Sequence, residues 1–159
     1  MISQTAEYAL RAVAYLATHA PTPQTNAQIA KHTQVPLGYL AKVMQSLGRA
    51  GLVRSQRGIS GGFVLADDPA KLDILQVISA VEPSRRIKSC PLGLPGHAKL
   101  CPLHQRLDQA AALVEEAFRR TTIQELVSPS ESQTKACRFP AGQRNGHGRS
   151  RLADARVQK

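Results

Sequence analysis

The stretch Val35-Pro36-Leu37-Gly38-Tyr39-Leu40-Ala41-Lys42-Val43-Met44-Gln45-Ser46-Leu47-Gly48-Arg49-Ala50-Gly51 decides the fold, together with Leu52-Val53-Arg54-Ser55-Gln56-Arg57-Gly58-Ile59-Ser60-Gly61-Gly62-Phe63-Val64-Leu65 directly after it. Leu37, Leu40, Val43/Met44 and Leu47 recur at helical spacing, with Pro36 suited to the first turn and Gly51 to a left-handed cap. Leu52 to Ser55 and Phe63 to Leu65 read as two short strands. The three glycines between them imply backbone that bends sharply or comes very close to something. A helix followed by a glycine-tipped hairpin is half of a winged helix-turn-helix.

The other half lies upstream. Ala6, Ala9/Leu10, Val13, Leu16/Ala17 and Ala20 predict a first helix over about 3–19, ended by Pro21 and Pro23. Thr25 with Gln28 three residues on is a capping-box pattern for a short second helix carrying Ile29 and Ala30, and residues 32–35 read as the turn. In such a unit the second helix of the pair enters the major groove, polar face to the base edges and apolar face to the core. Opposite Leu40, Val43 and Leu47 stand Gly38, Tyr39, Lys42, Gln45 and Arg49. Thr25, Asn26 and Gln28 offer a helix amino terminus to a phosphate, and Pro36 opens the reading helix. Arg54, Gln56 and Arg57, with Gly58, Gly61 and Gly62, place a wing along the backbone or in the minor groove. Taken singly each has a bland reading as a solvated, half-buried or hairpin residue. Together and in this order they point to duplex DNA.

Charge supports the same reading. The chain has 159 residues, 21 Lys+Arg against 11 Asp+Glu, and an apolar fraction of 42%, enough for a core. Residues 1–66 hold six Lys/Arg and one acid, Glu7; residues 67–127 hold eight of each; residues 128–159 hold seven against two. Aromatics at 4%, with no Trp, argue against a stacking groove for sugars or single strands. No run approaches a membrane span, and the amino terminus lacks a signal-peptide pattern, so a cytoplasmic protein with reduced thiols is expected.

The remaining organisation is a helical stretch opened by Pro69, with Leu72, Leu75/Gln76, Ile78 and Val81, then an irregular segment rich in Pro and Gly. A last helix of about twenty residues comes next, with Pro102 in its first turn and a stripe of Leu103, Leu107, Ala110/Ala111, Val114, Ala117/Phe118 and Thr121. The expected division is a winged helix-turn-helix domain over 1–82, a cysteine-containing sensor loop over 83–100, a dimerisation helix over 101–127 and a disordered basic tail over 128–159. The fold class is mainly α with a small β wing. The long stripe suits a second copy, since a reader of paired half-sites needs one, and folding back on its own domain is the alternative.

In the loop, Cys90-Pro91-Leu92-Gly93 and Cys101-Pro102-Leu103-His104 repeat one Cys-Pro-Leu phrase. Thiolates are the preferred ligands of iron–sulfur clusters, and a cysteine at a helix amino terminus is biased towards thiolate. His104 shares a helical face with Cys101. Cys137, in the tail, has no expected fixed geometry.

The quoted helix, hairpin and the phrase Glu7-Tyr8-Ala9-Leu10-Arg11-Ala12 resemble the Rrf2 family of bacterial winged-helix regulators, over Met1 to about Val127. The resemblance implies a homodimeric transcription factor, usually a repressor, acting on a double-stranded operator, with a long carboxy-terminal dimerisation helix. In many members the loop before that helix holds an iron–sulfur cluster, usually on three cysteines, some ending Cys-x-x-His. Here two cysteines are present and the middle position falls near Gly96-His97. A [2Fe-2S] or [4Fe-4S] cluster would then be completed by His97, His104 or Glu7, the last because some relatives reach a partner's cluster with an acid of the first helix. The alternatives are a cluster-free thiol sensor closing a Cys90–Cys101 disulfide, zinc on the same ligands, or a structural loop. A small zinc enzyme on Cys90, His97, Cys101 and His104 lacks a general-base carboxylate in the loop, and the helix-plus-wing order disfavours an RNA-binding scaffold. Neither membrane, small-molecule substrate nor enzymatic activity is expected.

Overall fold

Ser3 starts the structure by accepting the Ala6 N–H on its Oγ at 3.1 Å, capping α1 (Gln4–His19). A computed structural model of the chain describes residues 2–83, 86–91 and 100–128. His97, Cys137 and the basic tail beyond Ser128 lie outside the described residues. Three alanines, Ala6, Ala9 and Ala12, are fully buried on α1 with Val13, Tyr15 and Leu16, so neighbouring helices approach it closely.

The Thr25–Gln28 capping box forms as expected and opens α2 (Asn26–Thr33). The helix runs through His32 and Thr33, two residues into the expected turn, because Thr33 Oγ1 donates back to the Ile29 carbonyl at 2.7 Å. Gln34, at φ 58°, ends it. Pro36 then sits just before α3 (Leu37–Arg49) rather than inside its first turn, and its carbonyl accepts from Tyr39 and Leu40. Leu40, Val43, Met44 and Leu47 are buried. Leu37, expected with them, is 55% exposed, since the stripe's first residue lies in the opening turn, before α3 reaches the core. Gly51, at φ 75°, ends α3 as expected, letting Leu52 N–H reach back to the Leu47 carbonyl at 3.0 Å.

Strands β1 (Val53–Gln56) and β2 (Gly62–Leu65) pair antiparallel, Val53 against Leu65 and Gln56 against Gly62. This is the small wing, with Val53 and Leu65 facing the core. Gln24, between α1 and α2, joins β2 by two hydrogen bonds with Phe63, 3.0 and 2.8 Å long.

Two elements depart from expectation. Pro69 opens a turn rather than a helix. The helix α4 (Ile74–Ser79) begins only after Asp73, whose carboxylate accepts the Gln76 N–H at 2.8 Å while Gln76 Oε1 accepts the Asp73 N–H. The last helix, expected at about twenty residues with Pro102 in its first turn, forms, but it does not fill the span 101–127 assigned to it, which holds a second, short helix. Helix α5 (Pro102–Arg120) stops at extended Thr121 and Thr122, and α6 (Ile123–Val127) turns back onto α1. Thr122 Oγ1 caps α6, and Ile123 is fully buried in the same core as α1, α2 and α3. Ile123 N–H bonds the Leu72 carbonyl and Ile74 N–H bonds that of Thr121, locking α6 beside α4. Among the described residues, no helix is long and apolar enough to cross a membrane.

Candidate nucleic-acid interface and thiol–imidazole site

The outer face of α3 carries Gly38, Tyr39, Lys42, Gln45 and Arg49, all at least partly exposed, as is Pro36 before it. Tyr39 is 60% exposed and touches Tyr8 of α1 edge-on, with centroids 6.3 Å apart. Burying Leu40, Val43, Met44 and Leu47 turns these residues outward, so one helix serves the core and presents donors at once. At the start of α2, the side chains of Thr25 and Gln28 are engaged with each other, Thr25 N–H donating to Gln28 Oε1 at 2.8 Å. Asn26 Oδ1 is buried there without a hydrogen-bond partner.

On the hairpin Arg54, Gln56 and Arg57 are exposed, and Ile59 at the tip is wholly so. The glycines were expected against DNA, and they have work inside the fold. Gly58 takes φ 118°, and a Cβ on Gly61 would lie 2.6 Å from the Gln56 carbonyl oxygen. Gly62 makes the close approach read from the sequence, and its neighbour is protein: a Cβ there would sit 2.7 Å from the Gln24 backbone. Gln24 itself escaped sequence reading. It is buried, Tyr15 Oη donates to its Oε1 at 3.1 Å, and its Nε2 donates to the Thr22 carbonyl. Tyr15 lies between His19 and His32, at 4.1 and 5.3 Å, and burial pushes its hydroxyl pKa up. The wing's orientation is thus tied to the α1–α2 corner through a buried glutamine that no local pattern marks.

Cys90, Cys101 and His104 meet. Cys101 is the N-cap of α5 with extended backbone, Pro102 is the next residue, and His104 stands in the first turn. His104 Nδ1 lies 3.1 Å from Cys101 Sγ and 3.7 Å from Cys90 Sγ. One donor atom from each of the three residues falls within 4.8 Å of the others. Cys90 is buried, outside the main hydrophobic cluster, while Cys101 and His104 are half-buried. Two thiols and an imidazole are soft donors that suit iron–sulfur clusters or zinc, and they would supply three of four ligands to such a group.

Glu7, the candidate fourth, is not among them in this chain. Its carboxylate pairs with Arg11 one turn along α1, and Arg11 also donates to the Thr33 carbonyl. Sequence reading also missed Asp108. It accepts Arg86 Nε at 2.7 Å, Arg86 Nη2 at 2.8 Å and the Ile87 N–H at 2.9 Å. The hydrogen bonds from Arg86, then that from Ile87, hold its carboxyl at about 2, well below the ordinary range. Spacing gives no sign of a pair 22 residues apart.

Residues 2–129 match the sequence profile of the Rrf2 family, described as "Iron-dependent Transcriptional regulator". An HTH-type transcriptional regulator of Aquifex aeolicus is 32% identical over 136 residues, spanning 82% of this chain and 94% of its own. The HTH-type transcriptional regulator NsrR of Bacillus subtilis is 29% identical over 133 residues, spanning 81% of this chain and 91% of its own. Of solved structures, CymR, the global cysteine regulator of B. subtilis, superposes with a TM-score of 0.65 at 26% identity, covering 79% of this chain and 95% of that one. IscR of T. potens superposes at 0.66 with 24% identity, covering 79% and 85%, a likeness of fold. These relatives are transcriptional regulators and not enzymes. By the profile match, the winged helix and the relatives together, the chain belongs to the Rrf2 family of transcriptional regulators.

Proposed function

We propose that the protein is a cytoplasmic, homodimeric repressor whose grip on a double-stranded DNA operator is set by the chemical state of Cys90, Cys101 and His104. The observation that carries this is the meeting of those three donor atoms at the amino terminus of α5. In this reading α3 enters the major groove with Tyr39, Lys42, Gln45 and Arg49 towards base edges and phosphates. The wing lays Arg54, Gln56 and Arg57 along the backbone, and the α2 terminus at Thr25, Asn26 and Gln28 meets a phosphate. The exposed stripe of α5 packs on its copy.

The donor set fits an iron–sulfur cluster, [2Fe-2S] or [4Fe-4S], on Cys90, Cys101 and His104, with His97 or a partner's Glu7 as fourth ligand. Such a group supplies sensitivity to oxidants, nitric oxide or iron supply. The chain's own contribution is to hold two thiols and an imidazole together at the end of the α5 stripe. A second reading has its own support, because the two thiols already lie within 4.8 Å. Losing two electrons and two protons to a peroxide would join them in a disulfide, with no metal involved.

Anaerobic purification with an absorption spectrum and iron and sulfide assay, on wild type, Cys90→Ala and Cys101→Ala, separates the two. Cluster absorption lost in both variants is the expected result. An iron-free protein whose DNA binding responds to peroxide moves the sensing to the dithiol. An iron-free protein indifferent to peroxide overturns the gating and leaves a DNA reader.

A further inference from the structure

Two of the three donors at the thiol–imidazole site come from one helix. Cys101 caps α5 and His104 stands in its first turn, so the helix alone sets their 3.1 Å approach. Cys90 reaches the site along a separate segment, residues 86–91, whose first two residues are bonded to α5 by Asp108. One turn beyond His104, its carboxylate collects three donors from two consecutive residues: two nitrogens of the Arg86 guanidinium fork and the Ile87 N–H. Arg86 also comes within 3.9 Å of Glu115, farther along α5. From Ile87 to Cys90 the chain spans at most about 10 Å, so an anchor at Ile87 confines the thiol to a small volume.

We infer that Asp108 is a positioning residue for the sensing site, setting Cys90 against His104 by clamping Arg86 and Ile87 to α5. The inference rests on reading Cys90, Cys101 and His104 as that site. A half-exposed ion pair of ordinary geometry contributes little, but a bidentate fork joined by a backbone N–H fixes direction as well as distance. Arg86, Ile87 and Asp108 all lie outside the main hydrophobic cluster, so the clamp can open without unpacking it. Its loss releases one thiol and leaves the other where the helix puts it.

That asymmetry is the test. The reduced, metal-free full-length chain is pulse-alkylated, and each cysteine is followed by peptide mapping. Asp108→Asn is expected to raise the Cys90 rate about tenfold through local opening, with Cys101 unchanged and the denaturation midpoint close to wild type. An unchanged Cys90 rate, or equal acceleration of both thiols, overturns the inference. Should Asp108→Asn fail to fold, Arg86→Gln cuts the clamp from the loop side and is judged by the same split.

Cobalt(II) titration gives the second arm. Wild type is expected to show thiolate-to-cobalt absorption that Cys90→Ala abolishes, and Asp108→Asn to need roughly 10–100-fold more metal, the usual effect of losing an outer-shell support. Equal cobalt affinity in wild type and Asp108→Asn counts against the clamp. A wild type without Cys90-dependent absorption refutes the metal-site reading instead, and the alkylation split still judges Asp108.

Discussion

Helices α3 and α5 carry equally clear apolar stripes and meet opposite fates. Leu40, Val43, Met44 and Leu47 of α3 are buried by α1, α2 and the wing, whereas no residue of α5 is buried, and Leu103 and Leu113 are 64% and 74% exposed. Beside α5 runs an apolar groove of about 430 Å³ floored by Leu75, Ile78, Leu107, Val114 and Phe118. Periodicity states which face a helix will hide, and says nothing of whether the cover comes from its own chain. Among the described residues α4 covers α5 only in part, and Leu103, Leu107 and Leu113 stay exposed; that open stripe is the basis for proposing a dimer.

The largest effects are expected from cutting the same side chain out of each stripe. Leu47→Ala, fully buried, is expected to lose about 2–5 kcal/mol in urea denaturation. Leu107→Ala is expected to leave monomer stability within about 1 kcal/mol and to weaken self-association in analytical ultracentrifugation. Equal losses from the two would mean that α5 is already covered within its own chain. Next in size is Gly62→Ala, which drives a methyl into the Gln24 backbone. A loss of about 1–3 kcal/mol is expected, with weakened DNA binding because the wing is displaced. A neutral result would show that the wing is not docked through Gln24.

Smaller still are the effects expected on the polar side of α3 and on the wing. Lys42→Ala and Arg57→Ala should weaken operator binding with the dimer intact. If either residue holds a phosphate, its removal lowers the salt slope by about 1; if it reads a base, the cost is about 1–3 kcal/mol at one position. Gel-shift titrations at several salt concentrations tell these apart, and unchanged affinity would remove the residue from the interface. The smallest effect expected is the pH dependence contributed by Asp108. Its carboxyl is depressed in the folded state, so its stabilisation is present above the ordinary value of 3.8 and is lost as pH falls through about 2. Wild type and Asp108→Asn should therefore differ slightly above that window and converge below it.

The legible parts of the sequence were those whose cause is local. The Thr25–Gln28 box, the left-handed Gly51 and the glycine hairpin each arise from residues a few positions apart, and each formed as read. The Asp73–Gln76 box is just as local, but Pro69 is an equally good helix opener on paper, and only packing decides between them. Leu37 satisfies the stripe and escapes burial by sitting in the opening turn. The pairs that tie the molecule together, Tyr15 with Gln24, Gln24 with Phe63 and Arg86 with Asp108, join residues that no periodicity links. The thiol site was legible by chemistry, since Cys90, Cys101 and His104 meet. Its completion by Glu7 from a second copy stays a proposal, and His97 lies outside the described residues.

The return of α6 to the core has a consequence for how the gene is divided. The unit built around α1 and α3 is closed by Ile123, so it is assembled from two separated stretches of coding sequence, with everything from the loop after α4 to Arg120 spliced between them. The cysteine-bearing segment and its long helix therefore sit as an insert in a winged-helix unit that resumes behind them. Chimeras between relatives should be joined at the flanks of that insert. A gene shortened to end at Arg120 would delete a wall of the winged-helix unit along with the tail.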